Sequence, residues 1–168
     1  DAALSVNMGA NITYYYEVVW PGTYMYHCHV EATEHMQMGM LGNLYVRPAQ
    51  DGQAKVYNGK TYTQFAYNDG DGSTRYDVEY PIQIGSFDPD FHDASFNVQP
   101  LPFAGMRDRY FLLNGRGYPD TVNPLALSTE DPLGRTQVSQ PVSSLITAAP
   151  GQRILLRISN LSVTQFYT

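Results

Sequence analysis

Glycine and proline divide this chain into short segments, and that division is the strongest constraint on its fold. The sequence spreads 14 Gly and 11 Pro over 168 residues, and both residue types interrupt helices. No window of about ten residues carries the 3.6-residue apolar period of an amphipathic helix. The segments between the breaks are rich in β-branched and aromatic residues, which favour strands. The sequence therefore predicts an all-β fold.

Turn residues and β-rich runs together predict where the strands lie. The predicted strands are residues 11–19, 23–27, 41–46, 61–67, 80–86, 109–114, 136–147 and 153–159. Pro21-Gly22 is predicted to join the first two as a hairpin, and Pro150-Gly151 to join the last two. Residues 30–38 are predicted to be mainly a loop that could hold a short helical turn, and residues 87–109 are predicted to be a loop.

The strand count suggests that this chain holds parts of two domains. Residues 1–48 offer only three predicted strands, whereas a β-sandwich usually needs about seven. We therefore expect the C-terminal part of one domain over residues 1–48, a linker over 49–60, and a second domain over 61–168 that is incomplete at its C-terminus. On this reading the chain is an internal fragment of a larger protein.

Charge and apolar content exclude several classes of partner. The net charge is −6, so no basic patch for nucleic acid or an anionic membrane surface is expected. No apolar run reaches the roughly 18 residues of a membrane span. The sole cysteine, Cys28, cannot form an internal disulfide.

Metal-binding side chains are concentrated in residues 27–40, HCHVEATEHMQMGM. This segment holds the sole Cys and three of the four His. A thiolate, imidazoles and a thioether select copper, typically with Cys and two His in a plane and a weak axial Met. Cys28, His35 and Met40 supply three of these four donors, and the second His is expected to lie before Asp1.

The two His residues that flank Cys28 point to a second metal centre. In a strand, residues on either side of a given position face away from it. His27 and His29 are therefore predicted to face away from the metal that Cys28 binds. The covalent path from the Cys28 sulfur to each imidazole is only a few bonds long, so it suits electron transfer between two copper sites.

Other readings of these residues remain open. Cys28 could be a buried thiol or part of a zinc site. Met36 and Met38 are interpreted as packing residues, with a Met-rich surface for Cu(I) or substrate as the alternative. His92 is interpreted as a structural or surface residue, since no other metal donor of the Cys, Met or His type stands near it. Glu34 is a solvated carboxylate or a group that orients His35.

The segment GTYMYHCHVEATEHMQMGM resembles the copper-binding signature of multicopper oxidases, in which a His-Cys-His triplet precedes a further His and an axial Met or Leu. Its pattern HxHVxxTEH is also similar to two-domain small laccases. RYFLLNGRGYPDT and APGQRILLRISNLS resemble the start of a following cupredoxin domain. The resemblance is strongest over residues 22–48 and extends to 81–121 and 148–162. It implies cupredoxin-like Greek-key β-sandwiches.

The resemblance also implies a role for each donor. Cys28 and His35 would be type 1 copper ligands with Met40 axial, and His27 and His29 would each bind one copper of the type 3 pair. The interval from Cys28 to His35 is two residues longer than in the usual laccase pattern, whereas that from His35 to Met40 is retained.

The implied activity is oxidation of a phenol or of Cu(I), Fe(II) or Mn(II), coupled to reduction of dioxygen to water at a trinuclear copper cluster. The implied location is the periplasm, cell surface or exterior, and the resemblance is compatible with a homo-oligomer. A copper nitrite reductase is one alternative, although His29 argues against it. A non-enzymatic electron-transfer cupredoxin is another. Residues 1–168 alone are expected to be inactive, because further His-x-His motifs are absent from them.

Overall fold

The structure is a computed structural model that describes residues 5–97 and 100–164. Strands make up 32% of the chain and helices 12%, which confirms the all-β prediction. Within the described ranges the strands are β1 (Gly22–His27), β2 (Leu41–Val46), β3 (Lys55–Tyr57), β4 (Lys60–Tyr62), β5 (Val78–Phe87), β6 (Tyr110–Leu113), β7 (Leu127–Glu130), β8 (Thr136–Gln140) and β9 (Ile154–Asn160). The α-helices are α1 (Ala32–Gln37) and α2 (Pro89–Ser95), and single 3-10 turns occupy Phe103–Gly105 and Asp120–Val122. None of these helices is long and apolar enough to cross a membrane.

Strand β5 is the centre of the largest sheet. It pairs antiparallel with β6 and parallel with β9, in the order β6-β5-β9. The remaining strands form antiparallel pairs, β1 with β2, β3 with β4 and β7 with β8. Because parallel neighbours need a long crossover connection, the chain from residue 88 to residue 153 runs from the end of β5 back to its start. That crossover contains α2, β6 and the β7–β8 hairpin.

The strand predicted over residues 11–19 is wrong. These residues form no regular structure, and Tyr15 and Val18 are 92% and 59% exposed. High β-propensity stabilises a strand only where a neighbouring strand supplies hydrogen bonds and packing. The predicted partner, β1, pairs with β2 instead, from Gly22 opposite Val46 to His27 opposite Leu41.

Both predicted hairpins are therefore wrong. The structure has no turn at Pro21-Gly22, because Pro21 lies outside regular structure and Gly22 is the first residue of β1. Pro150-Gly151 forms a turn, but β9 beyond it pairs with β5, and β8 before it pairs with β7. Residues 141–147, predicted to be strand, lie outside any strand. Local propensity predicted the turn at Pro150-Gly151, but it does not indicate which distant strands pair with each other.

Helix α2 replaces part of the loop predicted over residues 87–109. Asp88 accepts hydrogen bonds from the backbone N–H groups of Asp90 and Phe91, at 3.1 and 3.3 Å, and Pro89 occupies the first turn. An Asp cap followed by Pro is a recognised helix-start signal. This signal was present in the sequence. Helix α1 likewise occupies the segment predicted to be mainly loop over residues 30–38.

The strands predicted over residues 23–27, 41–46, 80–86, 109–114 and 153–159 agree with β1, β2, β5, β6 and β9. Strand β3 falls inside the predicted linker at 49–60, while the division into two domains remains a prediction. The C-terminal end, where the second domain is expected to be incomplete, includes residues 165–168, which lie outside the described residues. The buried apolar side chains include Phe65, Phe91 and Met106.

An ion cluster around Glu79 attaches the β1–β2 hairpin to the larger sheet. Arg157 on β9 is 4% exposed, and its Nε donates to Glu79 Oε2 at 2.8 Å. Arg47, just beyond β2, pairs with the other oxygen of Glu79. Burial raises the pKa of Glu79, but the hydrogen bonds and charges of the two guanidinium groups outweigh it and hold that pKa below its ordinary value. The Arg157 guanidinium also lies over the Tyr45 ring, 5.4 Å from its centroid.

A second polar cluster closes the turn after Tyr67. Asp69 accepts from the backbone N–H and Oγ1 of Thr74, both at 2.6 Å, from the Gly72 N–H at 2.9 Å and from Gln50 Nε2 at 2.8 Å. Burial raises the pKa of Asp69, but hydrogen bonds from Thr74 and Gln50 prevail and hold that pKa well below its ordinary range. A carboxylate with this many donors fixes the conformation of the turn.

We predict that Asp69→Asn lowers the free energy of unfolding by about 2 kcal/mol at neutral pH, since an NH₂ group would face backbone donors. Because the pKa is lowered on folding, the wild-type advantage is complete above the unfolded value of 3.8 and is lost as the pH falls through the folded value. Urea unfolding at several pH values measures this. Asp71→Asn is the control, since Asp71 accepts from Ser73 N–H alone in this turn, at 2.8 Å. Equal losses in both variants, or a pH-independent difference, would contradict the prediction.

Candidate metal centre

The candidate donors lie at one end of the β1–β2 hairpin. Strand β1 ends at His27, whose partner in β2 is Leu41. The connection between them, residues 28–40, therefore leaves and re-enters the hairpin at the same point. Cys28, His35 and Met40 all lie on this connection, so the hairpin register keeps them close despite their separation in sequence.

Backbone hydrogen bonds draw these three residues together. The Cys28 N–H donates to the Met40 carbonyl at 3.2 Å, and the Met40 N–H donates to the His35 carbonyl at 2.9 Å. Met40 is thus linked directly to both other candidates. Neither bond depends on a metal, because both are made by the main chain. The backbones of Cys28, His35 and Met40 are therefore close together, although the residues are separated in sequence.

Gly39 makes the return from α1 to β2 possible. Its φ of 96° is in the left-handed region, where a side chain would be strained. Its N–H donates to the Met36 carbonyl at 3.1 Å, which closes the C-terminal turn of the helix. The glycine therefore sets the direction in which Met40 follows α1.

His27 and His29 lie side by side. Their ring centroids are 5.2 Å apart and the ring planes differ by 18°, which is the juxtaposition that strand alternation predicts. Nδ1 of His27 is 2.7 Å from the Cys28 carbonyl oxygen. Because a carbonyl oxygen only accepts, Nδ1 carries the proton, and in the neutral ring Nε2 keeps its lone pair for a metal.

His35 is half-buried and has a carboxylate neighbour. Its Nε2 lies 3.7 Å from Glu31 Oε2, one helical turn away. The sequence leaves Glu34 either as a solvated carboxylate or as a group that orients His35, and the carboxylate that the structure pairs with His35 is that of Glu31. Met40 is 55% exposed, and Cys28 is half-buried as a free thiol. These donors are accessible from solvent.

The side chains do not form a closed coordination shell. Within residues 5–97 and 100–164, no group of three or more His, Cys, Asp or Glu side chains is positioned to hold a metal ion. The kinds of donor nevertheless fit copper, since a thiolate, imidazoles and a thioether share one short connection. The remaining histidine, His92, lies on α2, outside residues 28–40, and is 8% exposed.

Sequence reasoning missed a polar network that meets the connection of residues 28–40 at Gln37. Gln37 Nε2 donates to Asp108 Oδ1 at 2.7 Å. Gln37 Oε1 accepts from the Asp88 N–H and from His92 Nε2, both at 3.0 Å. The Asp88-Pro89 signal could have located α2, but nothing in the sequence relates Gln37 to residues more than fifty positions away.

A groove of about 470 Å³ opens beside the same connection. Its walls come from residues 36–41, from β5, from the β6 end and from the end of β8. The lining comprises Met36, Gln37, Met38, Gly39, Leu41, Gln83, Ile84, Gly85, Ser86, Leu112, Asn114, Gly115, Ser139, Gln140, Pro141, Val142 and Leu161. Every one of these side chains is uncharged. The groove therefore offers thioethers, aliphatic groups and amides next to the segment that joins His35 to Met40.

Comparison with known proteins identifies the amino-terminal part of the chain. Residues 2–50 match the multicopper oxidase family, and this range contains His27, Cys28, His29, His35 and Met40. No curated protein and no solved structure matches the chain. The resemblance drawn from the sequence is thus confirmed over that range, and the strand-rich architecture agrees with a cupredoxin-like β-sandwich.

The family match implies copper binding and copper-dependent oxidoreductase chemistry.

Proposed function

We propose that this chain, whose residues 2–50 match the multicopper oxidases, serves a copper oxidase that takes single electrons from a small reductant and reduces dioxygen to water. In this proposal Cys28, His35 and Met40 belong to the type 1 copper site that accepts the electrons. His27 and His29 belong to the type 3 pair of a trinuclear cluster. The complete ligand set requires additional histidines.

The observation that carries the proposal is the placement of Cys28 between two paired imidazoles. His27 and His29 stack at 5.2 Å, and the Cys28 carbonyl accepts from the His27 ring at 2.7 Å. Cys28 is also bonded through its N–H to Met40. One residue is therefore connected on one side to the proposed type 1 donors and on the other to the proposed type 3 donors.

The protein groups have defined tasks in this chemistry. Copper, when bound, supplies the one-electron redox steps by which dioxygen is reduced. Cys28 acts as a thiolate, because only that form is a strong metal ligand. The Cys28 carbonyl holds the His27 proton on Nδ1, so Nε2 is the nitrogen available for binding. The backbone of residues 27–29 provides the short covalent route for electrons.

We predict that, in protein that carries the complete ligand set and is loaded with copper, Cys28→Ser abolishes the visible thiolate-to-copper absorption, while His27→Ala retains the absorption and loses oxygen consumption. The serine hydroxyl cannot provide the thiolate charge-transfer band, whereas His27 is assigned to the other copper site. Absorption spectroscopy and an oxygen electrode measure the two effects. Met25→Leu is a suitable control, because Met25 is 55% exposed on β1 and outside both sets of donors.

Persistence of the absorption band in Cys28→Ser would show that the assignment is wrong. Copper counting separates the oxidase from an electron-transfer cupredoxin. One copper per protein, with the band intact and no oxygen uptake, supports the cupredoxin. Nitrite reduction without oxygen consumption supports a nitrite reductase.

The groove favours a phenolic reductant over a metal ion. Fe(II) and Mn(II) prefer carboxylate and water oxygens, and the lining contains no charged side chain. Its volume of about 470 Å³ falls within the range of small-molecule sites. The lining offers the apolar side chains of Met36, Leu112 and Val142 for contact with an aromatic ring, and amides that can bond to its hydroxyl groups. The thioethers of Met36 and Met38 make Cu(I) the strongest metal-ion competitor.

Val142→Glu tests this preference at the rim of the groove, where the valine is 64% exposed. A carboxylate there must be desolvated beside a neutral ring, so we expect the KM for a dimethoxyphenol to rise about fivefold, or roughly 1 kcal/mol, with kcat unchanged. Val138→Glu is the matched control, since Val138 is 65% exposed and outside the lining. Unchanged phenol kinetics together with a lower KM for Fe(II) or Cu(I) would favour a metal-ion substrate.

The proposed chemistry suits an oxidising, copper-supplied compartment. We therefore propose the periplasm, cell surface or exterior as the location. Fractionation of the producing cells, with the copper-dependent oxidase activity followed in each fraction, tests this point.

A further inference from the structure

Helix α1 has little of its own to hold it in place. It has six residues, none of them buried, and isolated helices shorter than about 12 residues are marginal in water. Its N-cap residue, Glu31, is left-handed with φ 49° and makes no side-chain capping hydrogen bond. The position of α1, and of His35 on it, must therefore depend on contacts made elsewhere.

Gln37, in the last turn of α1, makes those contacts. Its amide bonds to Asp108 Oδ1 at 2.7 Å, to the Asp88 N–H at 3.0 Å and to His92 Nε2 at 3.0 Å. Asp108, Asp88 and His92 are 7%, 3% and 8% exposed. Both ends of one amide are thus hydrogen-bonded to buried partners, where a lost bond leaves unsatisfied polar groups.

The partners of Gln37 are themselves fixed. Asp88 caps α2 and accepts from the Arg107 N–H at 2.6 Å. The His92 ring stacks on Phe87, with centroids 4.5 Å apart and planes 9° apart. Thr164 donates to the second oxygen of Asp108. The residues that bind the Gln37 amide therefore belong to a packed and hydrogen-bonded region.

The polarity of this network requires an amide. Asp108 presents a carboxylate oxygen that accepts, whereas the Asp88 N–H donates. Since Gln37 Oε1 only accepts, His92 carries its proton on Nε2. A Glu at position 37 would oppose Asp108 with a like charge, and a Met would fill the space without hydrogen bonds.

We infer that Gln37 is a positioning residue for the copper-binding connection, fixing His35 and Met40 relative to Cys28 through α1. The inference rests on the proposed function, because it takes His35 and Met40 as type 1 donors. Gln37 lies two residues after His35 and three before Met40, and the Met40 N–H bonds to the His35 carbonyl. Displacements of about 0.5 Å matter in such sites. Residues 88–108, which contain none of the proposed copper donors, thereby set the geometry of those donors.

The first test is hydrogen exchange of the metal-free chain with Gln37→Met, which keeps length and helix propensity. We expect the amides of residues 35–40 to exchange roughly tenfold faster, because the hydrogen bonds that hold α1 are lost. Exchange in the β7–β8 hairpin should be unchanged. Gln53→Met is the control, since exposed Gln53 donates only to the nearby Ala49 carbonyl, at 3.0 Å.

The second test is polarity reversal with a spectroscopic readout. Gln37→Glu should shift and weaken the thiolate-to-copper band of the copper-loaded protein. Adding Asp108→Asn to Gln37→Glu places an amide donor at position 108 opposite the carboxylate at position 37 and restores the net charge of the wild type. The double variant should therefore regain the copper band and the slow exchange. A purely structural loss at either site would instead add in the double variant.

Unchanged exchange over residues 35–40 in Gln37→Met, or absence of rescue in the double variant, would overturn the inference. A different result would overturn the proposed function instead. In that case exchange over residues 35–40 is slow in the wild type and is restored in the double variant, but the wild type shows no Cys28-dependent copper band. The two failures are thus distinguishable.

Discussion

Glu79 links the β1–β2 hairpin to the largest sheet through two ion pairs. One carboxylate receives Arg157 from β9 and Arg47 from the end of β2. The strand that carries Glu79, β5, also pairs with both of its neighbours in the largest sheet. A partly buried ion cluster of this kind contributes to specificity when every member is paired, and removal of one member leaves an uncompensated charge. The position of the hairpin that bears the metal donors depends on it.

The connection over residues 28–40, which carries the candidate copper donors, is consequently held from two sides. The ion cluster fixes the hairpin near the start of β1 and the end of β2, and the Gln37 amide fixes α1 at the opposite end. Between these attachments the chain is exposed and short of apolar contacts. Such a segment has low local stability by itself. Its geometry is supplied by charge and hydrogen bonding, which are directional, more than by hydrophobic burial, which is not.

The sequence predicted those features that depend on local pattern. The strand at residues 41–46 agrees with β2, and the donors of residues 27–40 could be recognised from residue type and spacing alone. The exposed segment at 11–19 has the propensity of a strand but no partner, and propensity carries no information about partners. The parallel pairing of β5 with β9 and the hydrogen bond from Gln37 to Asp108 join residues far apart in sequence. They depend on the whole fold and could not be predicted from local pattern.

The groove beside the connection of residues 28–40 has walls from several parts of the chain. Residues 36–39 belong to the connection and Leu41 to β2, and the other walls come from strands and turns between residues 83 and 161. Insertions, deletions or substitutions in the β6–β8 part of the chain can therefore reshape the mouth of the groove while leaving every metal donor in place. The substrate preference proposed for the groove and the metal chemistry proposed for residues 27–40 therefore depend on different parts of the chain.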